Sequence, residues 1–231
     1  MLTDDPGTPG AGQWEINTAY LEERAADTRV RSFPHIDINY GWGEHIQVKY
    51  ETGYLFTDGT GGGLKGNLDD SLLGFKWRFL DQERASVDVS VYPQLELQNS
   101  HRSVTRGSAE PDPNLFLPIE IGRAIGPVRL IAEVGYQYSR GQENEWMAGI
   151  LGALEVSKTL ELLAEMRSIS KTFLSGGDVI GNVGFRQELG ARVKLMASAG
   201  TGLRGGPDAT YFIGYIGIQL SLGDKKMSAF P

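Results

Sequence analysis

The chain has 231 residues, including 31 Gly and 10 Pro and no Cys, so it is long enough for one sizeable domain or two small ones and folds without disulfides or thiolate chemistry. A formal charge of -7 at pH 7 argues against nucleic acid as a partner, because phosphate contact needs a clustered excess of Lys and Arg. No run approaches the roughly 18 to 20 consecutive apolar residues of a membrane helix, and Met1-Leu2-Thr3-Asp4-Asp5-Pro6 has neither the basic start nor the apolar core of a secretory signal.

From Trp14 onward the apolar residues recur with period two, the spacing of half-apolar strands. Trp14, Ile16, Thr18 and Tyr20 share one face of the first segment. Ile36, Ile38, Tyr40 and Trp42 follow, then Ile46, Val48, Tyr50 and Tyr54. The pattern continues through Leu73, Phe75, Trp77 and Phe79, and through Val87, Val89, Val91 and Leu95. Later segments lie around 117–121, 128–138, 146–156, 160–166, 179–185, 193–199 and 212–222. The count is about twelve strands of about ten residues, the length a tilted strand needs to cross a bilayer.

Connections alternate in length. Those at 41–44, 80–84, 123–127, 156–159 and 187–191 are short. Those at 22–29, 57–70, 99–114, 139–145, 168–178 and 200–209 are longer and rich in polar residues, Gly or Pro. Sorting by parity predicts an all-β fold: a closed antiparallel up-and-down transmembrane β-barrel with short periplasmic turns and long external loops. Residues 14–223 form the barrel, 1–13 a polar segment in the periplasm or the lumen, and 224–231 a C-terminal tail. Aromatic residues divide between the two rims, where a ring is half wet. The girdle includes Trp14, Trp42 and Trp77 toward the short turns, and Tyr54, Tyr136, Trp146 and Phe212 toward the long loops.

If the apolar face meets lipid, the other face lines the lumen and the solute path. It carries Lys49, Glu51, Lys76, Arg78, Asp88, Glu96, Glu120, Glu133, Glu155, Glu161, Glu165, Arg186 and Lys194. So many charges need pairing or water. Register around the turn at 41–44 sets Asp37 opposite Lys49 and His35 opposite Glu51, and Glu155 faces Glu161 across the turn at 156–159. Lys49, Lys76 and Arg78 then lie roughly across the barrel from Glu155, Glu161 and Glu165, which predicts either a transverse field over an aqueous path or a salt-bridged plug.

The chain resembles the outer-membrane β-barrel family described as similar to the MetA-pathway phenol-degradation proteins, often described as transporters. The likeness rests on Thr3-Asp4-Asp5-Pro6-Gly7-Thr8-Pro9-Gly10 followed by Trp14-Glu15-Ile16-Asn17. It continues in Pro34-His35-Ile36-Asp37-Ile38-Asn39-Tyr40-Gly41, in Leu73-Gly74-Phe75-Lys76-Trp77-Arg78-Phe79 and in Tyr92-Pro93-Gln94-Leu95. The resemblance implies a bacterial outer-membrane location, passage of small solutes with aromatic or hydrophobic compounds among them, and no catalytic residues. Implied partners are outer-membrane lipid and lipopolysaccharide, a small-molecule solute and the barrel insertion machinery. Family members carry a signal peptide, so the chain is read as a mature form with a starting Met.

Sharper chemistry has weaker support. His101-Arg102-Ser103 with Asn114 resembles the His-x-Ser and Asn elements of outer-membrane phospholipase A, but the pattern is short and sits in a polar loop. Gly61-Gly62-Gly63-Leu64-Lys65-Gly66 matches a dinucleotide fingerprint in letters only, since it joins two antiparallel strands. His35, His45 and His101 are too dispersed for a metal site, and the reading calls for no cofactor. The expectation is a channel for small solutes and not an enzyme, with a lipid-acting barrel enzyme or a soluble ligand-binding barrel as alternatives.

Overall fold

The computed structural model describes residues 1–59, 64–99, 113–140, 143–173, 175–206 and 209–223. The strands are β1 (Trp14–Arg24), β2 (Thr28–Trp42), β3 (Ile46–Gly59), β4 (Lys65–Leu68), β5 (Ser71–Leu80), β6 (Asp88–Val91), β7 (Gln94–Leu97), β8 (Asn114–Ile125), β9 (Val128–Ser139), β10 (Glu145–Ser157), β11 (Leu160–Ser170), β12 (Asp178–Glu188), β13 (Val193–Arg204) and β14 (Phe212–Leu222). One helical turn, α1 (Gln82–Ala85), sits in the connection after β5.

All the strands belong to one sheet. β4 and β5 both pair with β3, and β6 and β7 both pair with β5 and β8, so each couple is one interrupted stave. The second interruption falls at Pro93, whose nitrogen has no proton for a ladder. The Tyr92 N–H bridges it by donating to the Pro118 carbonyl at 3.1 Å, and the Pro93 carbonyl accepts from Phe75 N–H at 3.0 Å. β1 pairs with β14 along its whole length, from Trp14 opposite Leu222 to Arg24 opposite Phe212. The sheet therefore closes as a twelve-stave antiparallel barrel with no free edge.

The two faces are inverted relative to a soluble protein. Outward side chains include Trp42 at 67 % exposure, Ile150 and Val183 at 63 %, and Ile216 at 53 %, whereas the inward Lys76, Glu120 and Glu133 are at 2 % or less. Five of the seven girdle residues have an aromatic partner on the outer face. Near the short turns, Trp14 lies 4.6 Å from Tyr40 and Trp77 5.5 Å from Phe79, measured between ring centroids. Near the long loops, Tyr54 lies 5.0 Å from Phe56 and Tyr136 4.9 Å from Trp146. The described inner wall also holds an apolar patch of Ile131, Leu151, Ala153 and Leu163, against which Met1 packs.

Two expectations need correction. The connection expected at 22–29 shrinks to 25–27, because β1 and β2 run on to Arg24 and Thr28. The hairpin of β2 and β3 closes with Trp42 opposite Ile46, which puts Asp37 opposite Glu51, Asn39 opposite Lys49 and His35 opposite Gly53, two residues from the expected register. The intended partners still meet as diagonal neighbours, Lys49 at 3.8 Å from Asp37 and His35 at 3.4 Å from Glu51. A feature the sequence pattern did not address is a bulge in β2 at Phe33-Pro34, which shifts its register against both β1 and β3 and reverses the alternation of outward faces toward its upper end.

The inverted wall makes a direct prediction. Ile150→Arg places an ion against hydrocarbon and should lower folding stability in lipid vesicles by about 2 to 4 kcal/mol. Gln137→Arg, on the cavity wall, should change it by less than about 1 kcal/mol. Urea titration of tryptophan fluorescence measures both.

Candidate functional site

Residues 1–12 form a strap inside the barrel, entering at the short-turn rim. Gly10 and Gly12 hold φ of +90° and +71°, a region that favours glycine. Gly12 N–H donates to the Gly41 carbonyl at 2.9 Å and Gly41 N–H to the Gln13 carbonyl at 2.9 Å, which ties the strap's base to the end of β2. A Cβ at Gly41 would stand 1.9 Å from the Gly10 carbonyl oxygen, so only glycine lets the strap pass this close.

A chain without regular structure inside a barrel must find partners for its backbone N–H groups, and inward carboxylates supply them. Leu2 N–H donates to Glu165 at 2.9 Å, Thr3 N–H donates to the same carboxylate, and Asp4 N–H donates to Glu133 at 3.1 Å. Arg167 donates to the Leu2 carbonyl and lies 3.4 Å from Glu133. Thr8 Oγ1 donates to the Glu44 carbonyl at 2.7 Å. Small residues make room, since a Cβ at Gly122 would stand 2.8 Å from the Pro6 ring.

Lys76 pins the middle of the strap. Its ammonium sits 3.1 Å from Asp4, donates to the Asp5 carbonyl, lies 3.1 Å from Glu120 and stacks 4.3 Å from the Tyr92 ring centroid. Glu120 also accepts from Ser90 at 2.5 Å. Burial would raise the Asp5 carboxyl, but Lys76, Arg186 and Arg129, with the Gly7 N–H, hold it below the usual carboxylate range.

The other proposed lumen residues are placed as follows. Lys49 pairs with Glu51 at 2.5 Å, and Asn17 and Asn39 donate to Asp37 at 3.1 and 2.9 Å. Arg186 pairs with Glu161 at 3.2 Å. Arg78 is tied to Asp81 at 3.0 Å, and Asp88 accepts from Gln82 N–H at 2.8 Å, both at the short-turn rim. Glu155 lies in register with Glu161 at that rim, and Lys194 lines the cavity in register with Gln219. Glu96 accepts from Asn114 at 3.0 Å. Lys49, Lys76, Arg78 and Glu161 thus have opposite charges within contact range, and Glu165 binds the strap, so little is left for a field across the barrel.

Between strap and wall lies a cavity of about 700 Å³. It shares Glu96, Asn114 and Gln137 with a second cavity of about 590 Å³ lined by Glu143, Glu145 and Lys171 toward the long loops. Its other end reaches Glu15, Lys194 and Gln219. The larger cavity thus extends beside the strap from these shared residues toward the short-turn rim. Its walls mix the cations Arg129, Arg167 and Arg186 with the apolar Leu72, Phe116 and Leu163.

Sequence reasoning did not single out the neutral polar groups that hold this wall, notably Ser90, Tyr92, Gln47 and Asn182. Their inward parity was the available signal. Of the lipase-like pattern, Asn114 faces Glu96, while His101 and Ser103 lie outside the described residues, as do Gly61, Gly62, Gly63 and the tail 224–231.

No protein-family model matches the chain, and no curated protein matches it. Solved structures do. The COG4313 outer membrane channel from Pseudomonas putida F1 is 12 % identical with a TM-score of 0.69, over 96 % of this chain and 100 % of that one. The NanC porin (6 %, TM-score 0.63, over 90 % and 100 %) and the KdgM porin (10 %, TM-score 0.60, over 90 % and 99 %) are similar. The fold is that of a bacterial outer-membrane β-barrel. At these identities the likeness carries the architecture alone.

Removing one member of a buried ion pair strands the other. Lys76→Met should therefore cost about 3 to 5 kcal/mol, and Lys76→Met with Glu120→Gln should recover most of it. Unfolding of both variants in vesicles measures the difference.

Proposed function

We propose that the protein is an outer-membrane channel for small solutes whose bore is narrowed by the 1–12 strap. The observation that carries this reading is the cavity beside the strap, which reaches Glu15 and Lys194 at one end and adjoins, at Glu96 and Gln137, the vestibule of Glu143, Glu145 and Lys171. Water and a solute passing along it meet charged groups of both signs, so passage exchanges hydration for wall contacts. Purely apolar solutes gain little from such a wall. Solutes that combine a ring with an anionic or hydrogen-bonding group match its mixture of Arg129, Arg167 and Arg186 with Leu72, Phe116 and Leu163.

The similarity to outer-membrane channels supports the channel role, and the sequence resemblance to the phenol-degradation family supports aromatic compounds as the solute class. Seven of the lumen residues named from sequence act here, in two groups. Glu133, Glu165, Lys76 and Glu120 hold the strap, whereas Glu96, Arg186 and Lys194 face the path. A lipid-acting enzyme gains no support from Asn114, which is bonded to a lumen carboxylate.

Single-channel recording in a planar bilayer tests this reading. The full chain should give small discrete steps, and deletion of residues 2–9, with folding verified by heat-modifiable gel migration, should enlarge them several-fold. Steps of unchanged size would overturn the strap's role, and silence from both proteins would overturn the channel.

A further inference from the structure

The outer wall of the barrel carries a group of guanidinium side chains that the lumen does not account for. Along β1, Trp14, Ile16, Thr18 and Tyr20 face outward and are followed on the same face by Glu22 and Arg24. Tyr20 donates to Glu22 at 2.6 Å, and Arg24 lies 5.0 Å from the ring centroid of Phe212, its outward partner on β14. On β2, alternation continued from Ile36 and Ile38 would send Arg29 and Arg31 into the lumen. The bulge at Phe33-Pro34 reverses this, setting Arg31 opposite Glu22 and Arg29 opposite Arg24 on the outer face.

Glu22 is consumed inside the cluster. Its Oε1 accepts from Arg24 Nε at 2.5 Å and from Arg29 Nε at 2.7 Å, while its Oε2 takes the Tyr20 hydroxyl. Both arginines engage it through Nε, and Arg29 also meets the Tyr20 hydroxyl. Arg31 makes no ion pair among the described residues, and its buried Nε has no hydrogen-bond partner there. Asp58, in register with Arg29 on β3, forms no ion pair with it. Three guanidiniums thus stand over one internally saturated carboxylate, with Asp58 beside them and Asp27 in the turn that joins the two strands.

Position says what would meet this charge. From Trp42 to Phe33 the outer face of β2 spans about 30 Å of strand, or about 23 Å along the membrane normal at a tilt of about 40°, close to the roughly 25 Å apolar band of such barrels. Phe33 lies 6.5 Å from Tyr20, centroid to centroid, at the top of that band. Arg31, Arg29 and Arg24 come next, at the headgroup level of the outer leaflet, on the side of the longer connections. Guanidinium forks there match phosphate oxygens bidentately. Aromatic rings just below suit the start of acyl chains.

We infer that Arg24, Arg29 and Arg31 form a binding site on the outer wall for the phosphorylated sugar head of an outer-leaflet glycolipid, the lipid A part of lipopolysaccharide. The Glu22 clamp holds two of the three guanidiniums in place before the lipid arrives, so binding costs less side-chain entropy than three free arginines would. The site rests on the outer-membrane placement of the barrel but is independent of whether the lumen conducts.

Native mass spectrometry of the full chain, released from detergent with added lipid, tests the assignment. Bis-phosphorylated lipid A should bind at least tenfold tighter than the same lipid stripped of its phosphates. Arg31→Gln, which leaves the Glu22 clamp intact, should lose several-fold of that preference, and the triple Arg24→Gln, Arg29→Gln, Arg31→Gln variant should lose all of it while keeping heat-modifiable folding. Should the triple variant misfold, Arg31→Gln decides alone. Equal binding of the two lipids by the unmodified chain, or full retention of the preference in Arg31→Gln, would overturn the site. Competition by inorganic pyrophosphate at the same concentration as lipid A would overturn the glycolipid assignment.

Discussion

The structure depends on one constraint: an ionised side chain cannot face hydrocarbon without a cost of several kcal/mol. The period-two strands meet it by sending apolar side chains outward and charges inward, and closure of β1 on β14 satisfies the backbone that an open edge would strand in lipid. The constraint then reappears inside, where crowded ions must be paired or wetted. Lys49 with Glu51, Arg186 with Glu161 and Lys76 with Glu120 are pairs made within the wall itself. Glu133, which also faces Arg167, and Glu165, which also accepts from Asn182, take further partners from a segment that is not part of the wall.

That segment links electrostatics to function. Its backbone N–H groups need acceptors, the lumen has carboxylates in excess of nearby cations, and each meets the other's requirement. The strap occupies part of the bore and leaves the rest as a path bordered by both cations and apolar side chains. In the proposed channel, a solute on this path would be examined at short range by particular groups, not oriented by a field spanning the barrel.

Much of this was legible in the sequence, and the rest was hidden for identifiable reasons. Alternation alone separates the outward Trp14, Trp77 and Ile150 from the inward Lys76, Glu120 and Glu165, because strand geometry leaves no other choice. The register of β2 against β3 depended on how many residues the turn consumes, and an error of two residues still left Lys49 near Asp37, since diagonal neighbours on one face remain in reach. The bulge at Phe33-Pro34 was not readable, so Arg29 and Arg31 could not be assigned to a face. The strap's location was also beyond reach, because Thr3 and Glu165 are joined across 162 positions and nothing local marks the contact. The inward patch of Ile131, Leu151 and Leu163 breaks the simple rule that the inner face is polar, and it is where Met1 packs.

The central claim is that the strap is seated against the inward face of the barrel wall, and one disulfide tests it most directly. A Cβ at Gly149 would stand 3.2 Å from the Thr3 Cβ, near the separation of about 3.8 Å found across a disulfide, and the chain has no cysteine of its own to compete. In Thr3→Cys with Gly149→Cys, folded in lipid vesicles under mild oxidation, the account predicts near-complete formation of the cross-link, read by the altered migration of the unfolded chain. Two free thiols in a correctly folded barrel, both open to a water-soluble maleimide, would contradict it.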